Sequence, residues 1–402
     1  MIPFSPPRID KKIIDEVSAA MQSGWITTGP RTKKFEKEIT AFCGHPATLC
    51  VSSATAGMEL MLKWFGIKPG DEVIIPAYTY CATANVVVHC GAKPVMIDVG
   101  TDFNINERLI KQAITSRTKA IMPVDLGGWP CNYPAIMDIA KSDEAKALFN
   151  AETKEQADLG RILVLSDAAH SFGASVNGIA TGKLADITVF SFHAVKNLTT
   201  AEGGAICLNL PAPFDNDAIY KYLCVKSLHG QTKDALAKTK TGGWRYDVVE
   251  PGYKCNMTDI QAAMGLVEIE RYRDDMLKRR KEIFDAYSNA FSLCDWAEIP
   301  PYINDEKSSS FHVFLLRVKN ITEGIRDKII DEITSNQVGV NVHFIPLPLL
   351  SYYKNNEYRI EDYPVAYDNF SREITLPVYY DLSDDNVRIV IETVKKSVLK
   401  FI

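Results

Sequence analysis

A run of β-branched and aromatic residues, Ile187-Thr188-Val189-Phe190-Ser191-Phe192, stops abruptly at His193-Ala194-Val195-Lys196. Lysine is a strongly hydrated cation, and the end of a buried strand is a poor place for one unless its amine is used. In open α/β folds the strand ends are where ligands bind. A second strand-like run, 161–166, ends in Asp167-Ala168-Ala169-His170. A carboxylate and an imidazole at one strand end, with a lysine at another, point to pyridoxal phosphate chemistry. There a lysine forms a Schiff base, and a carboxylate keeps the ring nitrogen protonated so that the ring can act as an electron sink.

Further residues fit that chemistry, each beside a plainer reading. Ser52-Ser53-Ala54-Thr55-Ala56-Gly57 precedes an amphipathic stretch, and small and hydroxylated residues at a helix start expose backbone amides to an anion such as a phosphate. An ordinary N-cap by Ser53 or Thr55 is the alternative. Ser191 would add a hydroxyl close to the lysine. Asp167 could merely cap the next helix. His170, on the same helical face, either reaches a ring substituent or packs in the core. Of Tyr78 and Tyr80, one would offer an aromatic face to a flat heterocycle, and core packing is the competing use. The glycines of Ala201-Glu202-Gly203-Gly204 allow close backbone approach in a crowded turn.

These residues need a scaffold that brings strand ends together. Strand candidates at Glu72–Pro76, 94–99, 120–124, 162–166, 187–192 and 204–209 alternate with helical spacings such as Ala56-Leu60-Met61-Trp64-Phe65 and Leu109-Ala113-Ile114. That rhythm predicts a mostly parallel sheet wrapped by helices. The Glu/Lys/Ala/Asp-rich stretch 142–160 lengthens one crossover and reads as a solvated helical extension. Past Gly252, Thr258-Asp259-Ile260-Gln261 matches a capping box, and the helix it opens carries Ile260, Ala263, Met264, Val267 and Ile269. Its charged continuation, 271–281, reads as a solvated face. Strands at 312–318 and 338–344 and helices at 326–335 and Asp384–Leu399 then describe a smaller α+β domain. The division falls into a large domain at 13–257 and a small one at 258–402, with segment 1–12 packing nearby.

The chain has 402 residues, 46% of them hydrophobic and 24% charged, with a net charge of −5, which favours a globular protein over a nucleic-acid or membrane-surface binder. No apolar run approaches the length of a membrane span and no signal peptide is evident, so a cytoplasmic protein is expected. The nine cysteines show no Cys-x-x-Cys pair and read as buried thiols, and the seven dispersed histidines give no metal signature.

The ordered motifs resemble those of the fold-type-I, pyridoxal-phosphate-dependent aminotransferases of nucleotide-linked keto-sugars, the DegT/DnrJ/EryC1/StrS family. The matching segments are Ser23-Gly24-Trp25-Ile26-Thr27-Thr28-Gly29-Pro30, Ser52 to Gly57, Asp71 to Pro76, Asp167-Ala168-Ala169-His170, Ser191 to Asn197, Ala201 to Gly204, and Gly252-Tyr253-Lys254-Cys255-Asn256-Met257-Thr258-Asp259-Ile260-Gln261-Ala262-Ala263. They cover essentially the whole chain. Within the family the wording is nearest to enzymes that aminate a UDP-linked 4-keto-pentose to 4-amino-4-deoxy-L-arabinose.

The resemblance implies a seven-stranded, mostly parallel sheet with a smaller C-terminal domain, and pyridoxal 5'-phosphate as cofactor. It implies that Lys196 holds the cofactor, Asp167 pairs with its ring nitrogen, His170 lies near its hydroxyl and Tyr80 stacks on it. Ala54, Thr55 and Ser191 would bind its phosphate, and Thr28 and His343 would line the substrate pocket. It further implies a homodimer with shared sites, in which the 252–257 loop reaches the partner's site. Lys254 stands where many relatives have asparagine and Asn256 where they have arginine, so either could contact the phosphate in trans. L-glutamate would be the donor, 2-oxoglutarate the product, and a nucleotide keto-sugar the acceptor. A sugar dehydratase of the same fold typically replaces the lysine with histidine, a nicotinamide enzyme would need a Gly-x-Gly-x-x-Gly that no strand here precedes, and a non-catalytic member would be expected to lose Lys196 or Asp167.

Overall fold

The computed structural model describes residues 1–232 and 245–402. Its centre is a seven-stranded sheet. The strands are β1 (Ala47–Val51), β2 (Glu72–Pro76), β3 (Lys93–Ile97), β4 (Thr118–Ile121) and β5 (Leu163–Asp167), followed, after a small hairpin of β6 (Ser175–Val176) and β7 (Ile179–Ala180), by β8 (Ile187–Ser191) and β9 (Gly204–Leu208). Their spatial order is β1-β9-β8-β5-β4-β2-β3. All neighbours are parallel except that β9 runs against both β1 and β8. The α/β architecture is therefore the one expected, and the strand of the seven that periodicity overlooked is β1.

Helices cover both faces, so the strands must be apolar on both sides. Val73 and Ile75 face one cluster with Met58, Leu165 and Val189, while Ile74 faces the other with Ile121 and Val164. Under the β8–β9 end, Phe190, Phe192 and Cys207 pack with Phe35 and Tyr272. All nine cysteines are free thiols.

A second core surrounds a three-stranded antiparallel sheet of β10 (Ala297–Glu298), β12 (Phe314–Val318) and β13 (Glu373–Leu376), packed by helices Leu277–Phe291, Glu323–Ser335 and Asp384–Leu399. A short strand between them, β11 (Lys307–Ser308), instead pairs with β6 of the first body. The capping box is formed at Thr258, and the helix it opens, Asp259–Arg271, packs on helices Lys11–Gln22 and Pro30–Cys43.

The structure corrects or refines three readings. Segment 338–344 is not a strand: it makes isolated bridges to Ile2 and to Thr375, two different partners, and then turns into the interior at His343. Segment 142–160 is helical and mostly exposed, as expected, but it is also anchored to the body. Its helices Asp143–Leu148 and Lys154–Leu159 dock on the large body, because the carbonyl of Phe65 at a helix end needs donors and receives Gln156 Nε2 at 2.9 Å. Glu152 also reaches Lys119, whose side chain is 1% exposed, at 3.5 Å. The charged stretch 271–281 likewise turns inward at several points. Tyr272 and Met276 are buried, and buried Arg280 donates to the carbonyls of Phe311, His312 and Val378 at 3.1–3.3 Å.

Candidate active site

Because β5 and β8 are adjacent and parallel, Asp167 at the end of one lies level with Val189 of the other, and both chains leave the sheet at the same edge. β1 runs in the same direction, since it reverses against β9, which reverses against β8. The helix Ala54–Trp64 therefore begins at that edge too, and antiparallel β9 starts there with Gly204. Ser53 caps the helix by accepting from Ala56 N at 3.1 Å, so the cap and the anion-binding readings coincide. A side chain at Gly204 would press on Ala54 N at 2.6 Å. Only glycine lets β9 pass so close beneath the helix start.

A cavity of about 310 Å³ opens at this edge. It is lined by Ser53, Ala54, Thr55, Tyr80, Asp167, His170, Ser191, Lys196 and His343, so most of the predicted site is brought together. Tyr80 is 58% exposed over the opening, whereas Tyr78 is sealed in the core, which separates the two tyrosines. Thr28, Lys254 and Asn256 do not line it. They form a cluster of their own, in which Asn256 Nδ2 donates to Thr28 Oγ1 at 2.6 Å and Lys254 donates to Asn256 Oδ1.

Burial dominates the electrostatics. Asp167 accepts from Thr83 Oγ1 at 2.7 Å and from Ala169 N at 3.3 Å, yet loss of solvation still raises its carboxyl above the usual range. Lys196 Nζ has no hydrogen-bond or ion-pair partner among the described residues. Burial draws it down to about 8 against the pull of Asp167. A buried carboxylate short of a cation and an unpaired, partly neutral amine are what a pyridinium ring with an aldehyde would satisfy. The helix start cradled by Gly204 suits its phosphate. The residues present thus fit the expected cofactor.

His170, His312 and His343 are held neutral, each depressed first by burial and then by neighbouring positive groups. His170 Nδ1 accepts from Gly127 N at 3.2 Å, which leaves the proton on Nε2. His312, buried with its ring 4.3 Å from that of His170, stands where the sequence pattern predicts only the start of a strand. Its Nδ1 must donate to Asn197 Oδ1 at 2.7 Å, because the Asn197 amide donates to Ser310 O. Sequence reasoning also misses Phe344 and Phe4 in the cavity lining and Thr83, which holds Asp167 from outside the cavity. Phe4, from the N-terminal segment, stacks on His343 with ring centres 5.6 Å apart. No local pattern marks them, because their places are set by tertiary contacts.

The match to the DegT/DnrJ/EryC1/StrS aminotransferase family spans residues 7–395, and the chain belongs to that family. It is 38% identical to the spore coat polysaccharide biosynthesis protein SpsC of Bacillus subtilis (strain 168), over 98% of this chain and 96% of that protein. Among solved structures it is similar to Spr1654 from Streptococcus pneumoniae, described as a sugar aminotransferase. The PMP-form superposes with a TM-score of 0.96 at 44% identity, over 100% of both chains. The PLP-form gives 0.94 at 43% identity, over 100% of this chain and 99% of that one. Among the described residues no helix is long and apolar enough to cross a membrane, and no group of three or more His, Cys, Asp or Glu is arranged to hold a metal.

Proposed function

We propose that this aminotransferase moves an amino group from L-glutamate to the keto carbon, C4, of a nucleotide-linked keto-sugar. The cofactor is pyridoxal 5'-phosphate, which when bound supplies the electron sink for breaking a bond at the amine-bearing carbon. The observation that carries the reading is the unpaired Lys196 amine facing buried Asp167 at the sheet edge where the helix at Ala54 begins.

In this reading Lys196 carries the cofactor and, once freed, moves a proton at the donor carbon. An amine drawn down to about 8 is partly unprotonated at neutral pH and so can act as a base. Asp167 holds a proton on the ring nitrogen, Thr83 orients Asp167, and His170 offers Nε2–H to the ring hydroxyl. Tyr80 covers the ring face, and Ala54, Thr55 and Ser191 hold the phosphate. His343 contacts the acceptor in its own cavity, and Thr28, clustered with Asn256 outside it, would contact the acceptor in the partner subunit's site. Lys254 and Asn256, lying outside their own cavity, would serve the partner subunit's cofactor in a homodimer. The relatives described as polysaccharide-biosynthesis and sugar-aminotransferase proteins support the sugar acceptor. A cytoplasmic enzyme fits the supply of nucleotide sugars.

The visible absorbance of the holoenzyme tests this. Glutamate should bleach the violet-absorbing band that colours the holoenzyme yellow, and one member of a panel of UDP- and dTDP-linked 4-keto-sugars should restore it. Bleaching with no restoration by any 4-keto member would refute the acceptor but keep the transaminase.

A further inference from the structure

Alternation along β13 sends Ile374 and Leu376 into the second core beside Phe314 and Leu316. Glu373 and Thr375 therefore share the other face, where both are fully buried behind His343. Thr375 Oγ1 lies 2.6 Å from Glu373 Oε1 and 3.0 Å from His343 Nδ1. Glu373 Oε2 accepts the backbone N–H of His343 at 3.1 Å. With Nδ1 engaged and Phe4 stacked on the ring, Nε2 is the nitrogen left at the cavity wall.

A hydroxyl has one proton to give. When Glu373 is ionised, Thr375 donates to it and must accept from Nδ1–H, which leaves Nε2 bare. When Glu373 carries a proton on Oε1, it donates to Thr375. Thr375 then donates to Nδ1, and the ring proton sits on Nε2. Oε2 is a poor home for that proton, because a backbone N–H already points at it. One proton deep in the protein thus reverses the polarity of a nitrogen two hydrogen bonds away.

We infer that Glu373 and Thr375 are positioning residues that set the tautomer of His343, and that the Nε2–H form donates to an oxygen of the acceptor sugar. This rests on the proposed reaction, in which the acceptor contacts His343. The groups facing Glu373 are Arg317 from β12, Arg326 from helix Glu323–Ser335, Tyr78 beyond β2, and His343. Arg317 is engaged by Asn369 and Glu298, and Arg326 by Asp327 and the carbonyls of Phe370 and Glu373. Arg372, next in the chain, turns to Asp368 and Glu298. Burial outweighs these cations and pushes Glu373 up to about 8. His343 is held down to about 3, first by burial and then by Lys196, so the carboxyl titrates in the working range and the ring does not.

Holoenzyme labelled with ¹⁵N-histidine reads the tautomer directly, with His343 assigned by its loss in His343→Gln. The wild type should carry the proton on Nε2 at about pH 6.5 and on Nδ1 at about pH 9.5. In Glu373→Gln the amide can satisfy both neighbours only by donating to Thr375, so Nε2 should stay protonated at both values. Thr375→Ser should keep the switch, and Thr375→Val should lose it. A wild-type tautomer unchanged between the two values, or a Glu373→Gln spectrum that still switches, overturns the relay. With a UDP-linked 4-keto-pentose as acceptor, KM should rise about tenfold between about pH 7 and 9 in the wild type and stay flat in Glu373→Gln. Bleaching by glutamate should not share that difference. A switching tautomer with no effect on KM for any 4-keto acceptor that turns over overturns the recognition role while the relay stands, whereas no turnover of any 4-keto member of the panel refutes the acceptor assignment itself.

Discussion

The floor and the wall of the cavity are built in different ways. The floor consists of Asp167, Ser191 and Lys196 with the helix start at Ala54, all within a few residues of the ends of neighbouring strands. The wall consists of Phe4, His312, His343 and Phe344, drawn from three distant segments and held by contacts with β13 and Asn197. A floor fixed by sheet hydrogen bonds suits a cofactor whose chemistry does not vary. A wall resting on loops can change its acceptor while the chemistry beneath stays the same.

Substitutions in each part should separate the two roles. The largest effect is expected for Lys196→Ala, which should abolish turnover and, after borohydride reduction, leave no covalent cofactor mass on the chain. Retained turnover would refute the assignment of the floor. Asp167→Asn should cut both half-reactions by about 10²–10³-fold, because a preorganised charge is removed from a buried site. Stopped-flow bleaching with glutamate measures it. Capture of the cofactor by the apo-protein should rise with pH as the Lys196 ammonium loses its proton, by about tenfold per unit below about 8, and level off above that value. A plateau that begins only near the ordinary lysine range would contradict the burial of that amine. On the wall, Phe4→Ala should raise acceptor KM about five- to tenfold, the value of one lost ring contact, while glutamate bleaching stays unchanged. An equal loss in both half-reactions would mean that floor and wall are not separable. Smallest for catalysis is Gln156→Ala, in the docked stretch 142–160. It should lower stability by about 1–2 kcal/mol in denaturant melts with kcat unaltered.

The same division explains what could be read from the sequence. A strand run followed by a lysine, or by an aspartate and a histidine, is local, so Lys196, Asp167 and the order of the sheet were legible. β1 was not, because Ala47-Thr48-Leu49-Cys50-Val51 has little length and little alternation to distinguish it. Its identity as a strand comes from pairing with β9, more than 150 residues away. Likewise 142–160 and 271–281 look solvated by composition, and only tertiary contacts show which side chains turn inward to Phe65, Lys119 or the carbonyls around His312. His312 itself was hidden in a strand-like run. The backbone leaves the strand register there because Phe311 adopts a positive φ of 54°.

The path of residues 2–5 has a practical consequence. Ile2 donates its backbone N–H to Gln337 O and accepts from Gly339 N, Phe4 covers His343, and Ser5 reaches Val195 at 3.4 Å, one residue before the lysine. Trimming a handful of residues from this end would take only Ile2 from the second core and Phe4 from the edge of the first, yet it would strip a wall from the cavity. A preparation with a ragged start would then melt as one protein and behave kinetically as two enzymes.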